Sequence, residues 1–286
     1  MRSDSVTPVI VWVNGALVEE SDACISPFDH GLMTGDGVFE TLRVYGGSPF
    51  AWRRHLDRLA YSASGLELAL PRDDVIRRAA VAVLEANRLA DARLRITVTG
   101  GPAPLGSARG DASPTVIVAA APLAPWAESV AVVTVPWPRN ERGALAGLKT
   151  ISYGENVRAL ARAAAAGAEE AIFANTRGEL CEGTGTNVFV VARGALRTPP
   201  ASAGCLLGVT RALLLQLAGE LGLDAAEADL PLSALAAADE AFITSSTREV
   251  QSISTVDGLA LPSAPGPVTA KLAGAFKALV ERNPDP

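Results

Sequence analysis

The chain has 286 residues, of which 49% are hydrophobic, and its formal net charge is -6. This length can bury one large or two modest hydrophobic cores. The charges are dispersed and no basic run occurs, which argues against a nucleic acid partner.

The few cysteines and histidines limit the chemistry that the sequence can support. Cys24, Cys181 and Cys205 lie far apart and lack metal-ligand spacing, so we expect a reducing compartment and no metal site. No apolar run reaches membrane-spanning length, and residues 1–15 lack the apolar core of a signal peptide. These features predict a cytoplasmic protein without a membrane partner.

The first half of the chain combines strand and helix patterns. Asn14-Gly15 between two short apolar runs is a strong signal for a hairpin turn. Residues 38–45 alternate as in a strand. Further predicted elements are a helix ending near residue 66, a helix over 73–87, and strands over 94–99 and 115–121.

Residues 122–128 are the predicted interdomain linker, since two prolines and little charge stiffen this stretch. The linker places an N-terminal α/β domain at residues 1–121 and a C-terminal domain at residues 129–286. The predicted C-terminal elements are a strand over 130–135, a loop over 136–147, a helix over 155–166, strands over 171–174 and 181–191, a helix starting near 207, a strand–bend–strand unit over 239–253 and a helix over 268–280.

One lysine, Lys149, follows the first strand and loop of the predicted C-terminal domain. Its neighbours Leu148 and Ile151 are apolar, and an apolar setting lowers the pKa of a lysine because the ammonium loses solvation. A neutral amine is a nucleophile that can form a Schiff base with an aldehyde. Taken alone, Lys149 also fits a surface position at the end of a loop.

Four motifs give Lys149 a context. They are Glu-Gly-Thr-Gly-Thr-Asn-Val-Phe at 182–189, a D-x-G-x-x-x-G-D-G-V-F-E-T-x-R-V-Y pattern at 29–45, His-Leu-Asp-Arg-Leu at 55–59 and Gly-Val-Thr-Arg at 208–211. Together they resemble the class IV aminotransferase family, the fold-type IV enzymes that use pyridoxal 5'-phosphate (PLP), over nearly the whole chain. The resemblance implies an α+β, D-aminotransferase-like fold of two domains: a smaller N-terminal α/β sandwich and a larger C-terminal β-barrel-like domain with helices.

The resemblance also implies residue roles. Lys149 would carry PLP and catalyse proton transfer, and Glu182 would contact the ring nitrogen and keep it protonated, so that the ring acts as an electron sink. The implied phosphate contacts are Arg58, Val209, Thr210 and Ser246. The implied substrate contacts are Glu40, Thr41, Arg43, Tyr153 and Thr247. Without the resemblance, these residues also fit a half-exposed strand, a helix surface, a capped helix and a polar turn.

The motifs leave a lyase and a transaminase open. Residues 99–107 lack the arginine and histidine of the R-G-x-x-x-R-x-H carboxylate trap that D-amino-acid transaminases usually carry. Lys149-Thr-Ile-Ser-Tyr departs both from the K-x-x-x-N-Y of branched-chain enzymes and from the K-x-L-N of many lyases. The signature at 29–45 and the spacing from Lys149 to Glu182 favour 4-amino-4-deoxychorismate lyase.

That lyase would eliminate pyruvate to give p-aminobenzoate, a folate precursor. The alternative is a transaminase for a branched-chain L-amino acid or a D-amino acid with a 2-oxo acid acceptor. A PLP-fold binding protein without catalysis is a third reading, against which the presence of both Lys149 and Glu182 argues. The expected partners are a small amino substrate and, from the resemblance, a second copy of the chain in a homodimer.

Overall fold

The computed structural model describes residues 9–286, which divide into two compact units. Unit 1 contains the chain up to Leu123 together with Lys149–Ser152 and Asp285, and unit 2 contains the remainder. The division after Leu123 falls within the predicted linker, residues 122–128. The sequence assigned Lys149–Ser152 to the C-terminal domain, but this segment packs with unit 1. The prediction for residues 1–15 rests partly on residues 1–8, which lie outside the described residues.

Unit 1 is built on a six-stranded antiparallel sheet with the order β2-β1-β6-β5-β3-β4. Its strands are β1 (Ile10–Val13), β2 (Ala16–Glu19), β3 (Gly37–Tyr45), β4 (Ser48–Pro49), β5 (Ala92–Thr99) and β6 (Thr115–Pro122). Its helices are α1 (His30–Thr34), α2 (Trp52–Gly65) and α3 (Asp73–Ala86). The short helix α1 was not predicted.

One face of β3 carries the core of unit 1. Val38, Leu42 and Val44 are wholly buried and pack with apolar side chains of α2 and α3, such as Leu59 and Val83. Side chains two residues apart point to the same face of a strand. Residue 40 therefore faces this core as well, although it is a glutamate.

Unit 2 is built on a nine-stranded mixed sheet that curls into a half-barrel, with the order β12-β11-β10-β13-β14-β7-β8-β9 and β15 paired to β14. Its strands are β7 (Ser129–Thr134), β8 (Glu170–Ala174), β9 (Leu180–Gly183), β10 (Asn187–Ala192), β11 (Ala195–Thr198), β12 (Ala225–Glu227), β13 (Glu240–Ser245), β14 (Glu249–Val256) and β15 (Leu259–Ala260). Its helices are α4 (Gly154–Ala165), α5 (Val209–Glu220) and α6 (Pro267–Arg282). The two units agree with the α+β fold class that the resemblance implies.

The predicted single strand over 181–191 is two strands, β9 and β10. The buried Glu170 causes the break, since its carboxylate accepts hydrogen bonds from the backbone N–H and the hydroxyl of Thr184. Gly183 N donates to Thr186 O at 2.8 Å and closes the turn. As a result β9 pairs with β8, whereas β10 pairs with β11 and β13.

Within residues 9–286, none of the helices combines the length and the apolar character that a membrane span requires.

Candidate active site

The backbone of Lys149 is fixed by β3 and α2. Phe39 N donates to Lys149 O at 3.1 Å, and Ile151 N donates to Gly37 O at 2.9 Å. Lys149 N donates to the hydroxyl of the buried Ser62 at 3.0 Å. Because these bonds anchor the backbone on both sides, the position of the lysine is set by unit 1.

The amine of Lys149 lies over an aromatic ring that a second cation also contacts. Lys149 Nζ is 4.4 Å from the centre of the Phe39 ring, and Arg95 Cζ is 3.8 Å from the same centre. Phe39 is buried, whereas Arg95 is exposed and donates from Nε to the Thr97 hydroxyl. Cations bind the faces of aromatic rings electrostatically. The ring therefore brings an amine and an exposed guanidinium, which was not predicted from the sequence, into one neighbourhood.

A buried three-residue network lies between β3 and α2. Arg58 donates to Glu40 from Nε to Oε1 at 2.7 Å and from NH2 to Oε2 at 2.8 Å. His55 Nδ1 lies 2.6 Å from Glu40 Oε2. Burial alone would raise the pKa of Glu40, but Arg58 and His55 outweigh it and hold the pKa of this carboxyl far below its usual range. Burial lowers the pKa of His55, and the nearby Glu40 offsets only part of that effect.

The network changes the interpretation of one predicted substrate residue. Glu40 is wholly buried, and both of its oxygens contact Arg58 or His55. Its carboxylate therefore offers no exposed surface to a substrate in this structure, and its contacts are those of a residue that holds Arg58 in place. The side chain of Arg58 itself is 12% exposed.

Thr41 and Arg43 lie on the opposite face of β3 from Glu40, together with Phe39. Thr41 is paired in register with Arg95 on β5, so it lies beside the ring that Lys149 and Arg95 contact. Arg43 is farther along the strand, with NH2 at 3.7 Å from the Asp91 carboxylate. Of these two, Thr41 is the residue that the structure places in the neighbourhood of Lys149.

Glu182, in unit 2, is held from two sides. Its Oε2 accepts a hydrogen bond from Leu206 N at 2.8 Å, and its Oε1 lies 3.3 Å from Arg139 Nε. The Arg139 guanidinium lies 4.2 Å from the centre of the Phe173 ring and donates to Asn156 Oδ1 at 2.8 Å. Both contacts favour a charged carboxylate. Arg139 is a second residue that was not predicted from the sequence.

Val209 and Thr210 are the first two residues of α5. The preceding residue, Gly208, is the N-cap, and within the described chain no side chain caps α5 by a hydrogen bond from that position. The first amides of a helix lack intrahelical acceptors and the helix dipole favours an anion there. This end of α5 therefore has the donors that a phosphate needs.

The three remaining predicted residues are half-buried parts of unit 2. Ser246 and Thr247 form the turn between β13 and β14, where Arg248 N donates to the Ser245 hydroxyl at 3.1 Å. Tyr153 is the N-cap residue of α4. The turn presents hydroxyl groups, which can bind phosphate or carboxylate oxygens.

PLP presents an aldehyde, a basic ring nitrogen and a phosphate, and the residues described above offer a partner for each. Lys149 supplies an amine, and Glu182 supplies a carboxyl group that contacts Arg139 and Leu206 N. The Arg58 guanidinium and the first amides of α5 are hydrogen-bond donors of the kind that a phosphate binds. The chemistry of these residues thus fits the three groups of the cofactor.

Comparison with known proteins agrees with this chemistry. Residues 37–256 match the model of the amino-transferase class IV family. A putative branched-chain-amino-acid aminotransferase of Methanocaldococcus jannaschii is 37% identical, covering 93% of this chain and 95% of its own. An aminodeoxychorismate lyase of Bacillus subtilis is 31% identical, covering 94% of each chain.

Solved structures give the same result. The branched-chain aminotransferase of Thermoproteus uzoniensis with norvaline superposes with a TM-score of 0.90 at 31% identity, covering 96% of this chain and 95% of its own. The T.th. branched-chain amino acid aminotransferase complexed with N-(5'-phosphopyridoxyl)-L-glutamate gives a TM-score of 0.89 at 28% identity, covering 98% and 96%. The resemblance found in the sequence is confirmed: the chain belongs to the class IV aminotransferase family of enzymes, and its cofactor is PLP.

Proposed function

We propose that this enzyme is an aminotransferase that moves an amino group between a branched-chain amino acid and a dicarboxylic 2-oxo acid such as 2-oxoglutarate. The observation that carries the proposal is the Phe39 ring, which contacts both Lys149 Nζ and the exposed Arg95 guanidinium. The names of the Methanocaldococcus and Thermoproteus relatives support the branched-chain substrate class.

We assign Arg95 to the second carboxylate of the dicarboxylic 2-oxo acid. A guanidinium binds a carboxylate with two parallel hydrogen bonds, and stacking on an aromatic ring limits its motion. The ring that holds Arg95 also holds the amine of Lys149, so a substrate that reacts at Lys149 can place a second carboxylate at Arg95. The T.th. enzyme was solved in complex with a phosphopyridoxyl adduct of glutamate, which is a dicarboxylic amino acid.

In the proposed site, Lys149 would bind PLP covalently and Glu182 would contact its ring nitrogen. Arg58, the amides of Val209 and Thr210, and the Ser246 hydroxyl bind the phosphate. When bound, PLP draws electrons away from the substrate's α-carbon through its protonated ring. The amine of Lys149 would also accept the proton from that carbon and return it.

Other residues position these groups. Glu40 and His55 hold the Arg58 guanidinium in one orientation. Arg139 and Leu206 N do the same for the Glu182 carboxylate. Thr41, Thr247 and Tyr153 remain proposed substrate contacts, of which Thr41 lies beside the Lys149 neighbourhood.

4-Amino-4-deoxychorismate lyase, the activity that the sequence favoured, is the second candidate. It is supported by the Bacillus subtilis relative of that name. Both reactions need the same cofactor contacts, but only the transaminase needs an amino acceptor. The two candidates therefore differ in the reactants that they consume.

A product assay separates them. Purified enzyme is given L-leucine, L-valine or D-alanine with 2-oxoglutarate, and separately 4-amino-4-deoxychorismate without any 2-oxo acid. We expect glutamate to form with L-leucine or L-valine, while no p-aminobenzoate forms. Formation of p-aminobenzoate without a 2-oxo acid, with no amino exchange, would replace the proposal by the lyase. Exchange with D-alanine alone would retain the transaminase and overturn the branched-chain assignment.

We also infer a homodimer. In unit 1, Phe28, Leu32 and Leu105 are 48%, 70% and 76% exposed, and Ala103 N donates to Phe28 O, which ties the loop of Leu105 to the start of α1. Large apolar side chains that are exposed together mark interaction surfaces. Sedimentation velocity is expected to give a mass twice that of the chain, and replacing Leu32 and Leu105 with serine is expected to shift the equilibrium towards monomer.

A further inference from the structure

Leu206 lies three residues before the first residue of α5, and both polar groups of its backbone bind side chains. Its N–H donates to Glu182 Oε2 at 2.8 Å. Its carbonyl accepts from Asn187 Nδ2 at 2.7 Å. The backbone of this one residue thus links the carboxylate proposed for the ring nitrogen to the segment that leads into the proposed phosphate site.

Asn187 also contacts the N-cap residue of α5. A Cβ atom placed on Gly208 would collide with Asn187 Oδ1, although the backbone angles of Gly208, φ −67° and ψ 141°, suit any residue. Glycine is therefore required here by close approach and not by backbone conformation. The Asn187 side chain supports the chain at two points, the Leu206 carbonyl and Gly208.

The sheet keeps Asn187 itself in place. It is the first residue of β10, is 6% exposed and pairs in register with Thr244 on β13. Because the sheet fixes its backbone, the Asn187 side chain can restrain the loop that precedes α5. The Asn187 amide donates to the protein backbone. We therefore assign it no direct contact with PLP.

We propose that Asn187 is a positioning residue for the cofactor phosphate. Asn187 fixes Leu206 and Gly208, and so keeps the distance between the Glu182 carboxylate and the first amides of α5 constant. The ring nitrogen and the phosphate of one PLP can then be bound at the same time. This inference rests on the proposed roles of Glu182 and α5. Its measurable consequence is that Asn187 contributes to binding through the phosphate group.

The test compares PLP with pyridoxal, which lacks the phosphate. The full-length enzyme is freed of cofactor, and dissociation constants for both ligands are measured by absorbance for the wild type, Asn187→Ala and Asn187→Ser. One buried hydrogen bond to a backbone carbonyl corresponds to roughly a tenfold change in affinity. We expect Asn187→Ala to weaken PLP by about tenfold and pyridoxal by less than about threefold. The ³¹P resonance of bound PLP is expected to shift.

Asn87→Ala is the matched control. The Asn87 amide also donates to backbone carbonyls, those of Ile10 and Val83, but it lies in unit 1 and outside the proposed site. This variant is expected to unfold at a lower temperature while keeping the wild-type ratio of the two dissociation constants.

Equal weakening of PLP and pyridoxal in both Asn187 variants, or no change in either, would overturn the positioning role. Failure of the wild-type enzyme to bind PLP would instead overturn the proposed site itself. If Asn187→Ala does not fold, Asn187→Ser decides by the same ratio, since serine keeps a small polar group at the position.

Discussion

Arg58 and Glu40 form a two-bond ion pair whose carboxylate is wholly buried, with Nε···Oε1 at 2.7 Å and NH2···Oε2 at 2.8 Å. Replacing one partner of a buried pair leaves the other charge without compensation. We therefore expect Glu40→Gln to lower the free energy of unfolding by about 3 kcal/mol and to weaken PLP retention. Urea unfolding of the cofactor-free enzyme measures the first effect and PLP titration the second.

Asp74→Asn is the control for this variant. Asp74 pairs with Arg78 on the surface of α3, where both side chains are largely solvated. Such pairs contribute little to stability. A Glu40→Gln enzyme as stable as Asp74→Asn would mean that the Glu40 network does not hold unit 1 together.

The same network predicts how stability depends on pH. The pKa of Glu40 is depressed in the folded protein, so its stabilising contribution is complete above the unfolded value of 4.5 and is lost as the pH falls below it. Unfolding curves between pH 7 and pH 3 should therefore fall more steeply for the wild type than for Glu40→Gln. Parallel curves would show that Glu40 keeps an ordinary pKa.

Lys149→Ala is expected to abolish covalent attachment of PLP, because no other residue is proposed to supply the amine. The measurement is the intact mass after borohydride reduction, with Lys271→Ala as the control, since Lys271 lies exposed on α6. The control should gain one reduced cofactor and Lys149→Ala should gain none. A cofactor adduct in Lys149→Ala would refute the assignment.

Arg95→Gln tests the dicarboxylate assignment. Loss of a charged hydrogen-bonding partner is expected to raise KM for 2-oxoglutarate by roughly ten- to a hundredfold. KM for 4-methyl-2-oxopentanoate, which has one carboxylate, should change little. Steady-state kinetics with both acceptors provides the comparison. An equal rise in the two KM values would place Arg95 outside the recognition of the second carboxylate.

Arg139→Met removes the guanidinium beside Glu182. We expect PLP affinity to fall by roughly five- to tenfold, as for a partly buried ion pair. The ¹⁵N resonance of the labelled ring nitrogen should also move, because the charge environment of Glu182 changes. Arg139→Lys should restore part of both effects.

Arg158→Met serves as the control for Arg139, because Arg158 stacks on Trp137 in the same unit at 4.3 Å from the ring centre. It removes a cation of the same kind without touching Glu182. An unchanged ¹⁵N resonance in Arg139→Met would contradict the positioning role of that arginine.

Local signals in the sequence predicted several elements of the fold. Asn14 and Gly15 both have positive φ in the hairpin, as this turn requires. Helix α5 begins at Val209, as its Gly-Val-Thr-Arg start suggested. The burial of Glu40 also had a signal, since the alternation of β3 places it between the apolar Val38 and Leu42.

Features that depend on contacts distant in sequence were not predictable from local patterns. The break between β9 and β10 is caused by Glu170, which is fourteen residues before Thr184 and lies on another strand. Arg95 and Arg139 look like ordinary surface cations until Phe39 and Glu182 are placed beside them. The pairing of Lys149–Ser152 with β3 joins segments about a hundred residues apart.

That pairing limits how the gene could be divided. A fragment that ended at Leu123 would retain Gly37 and Phe39 but would lose the tetrapeptide Lys149–Ser152, which belongs to the same unit. A fragment that began after Leu123 would carry Lys149 without β3, the strand that binds its backbone. Each fragment would therefore lack an interaction that the intact chain makes, so a cut at the apparent boundary would not separate two self-contained units.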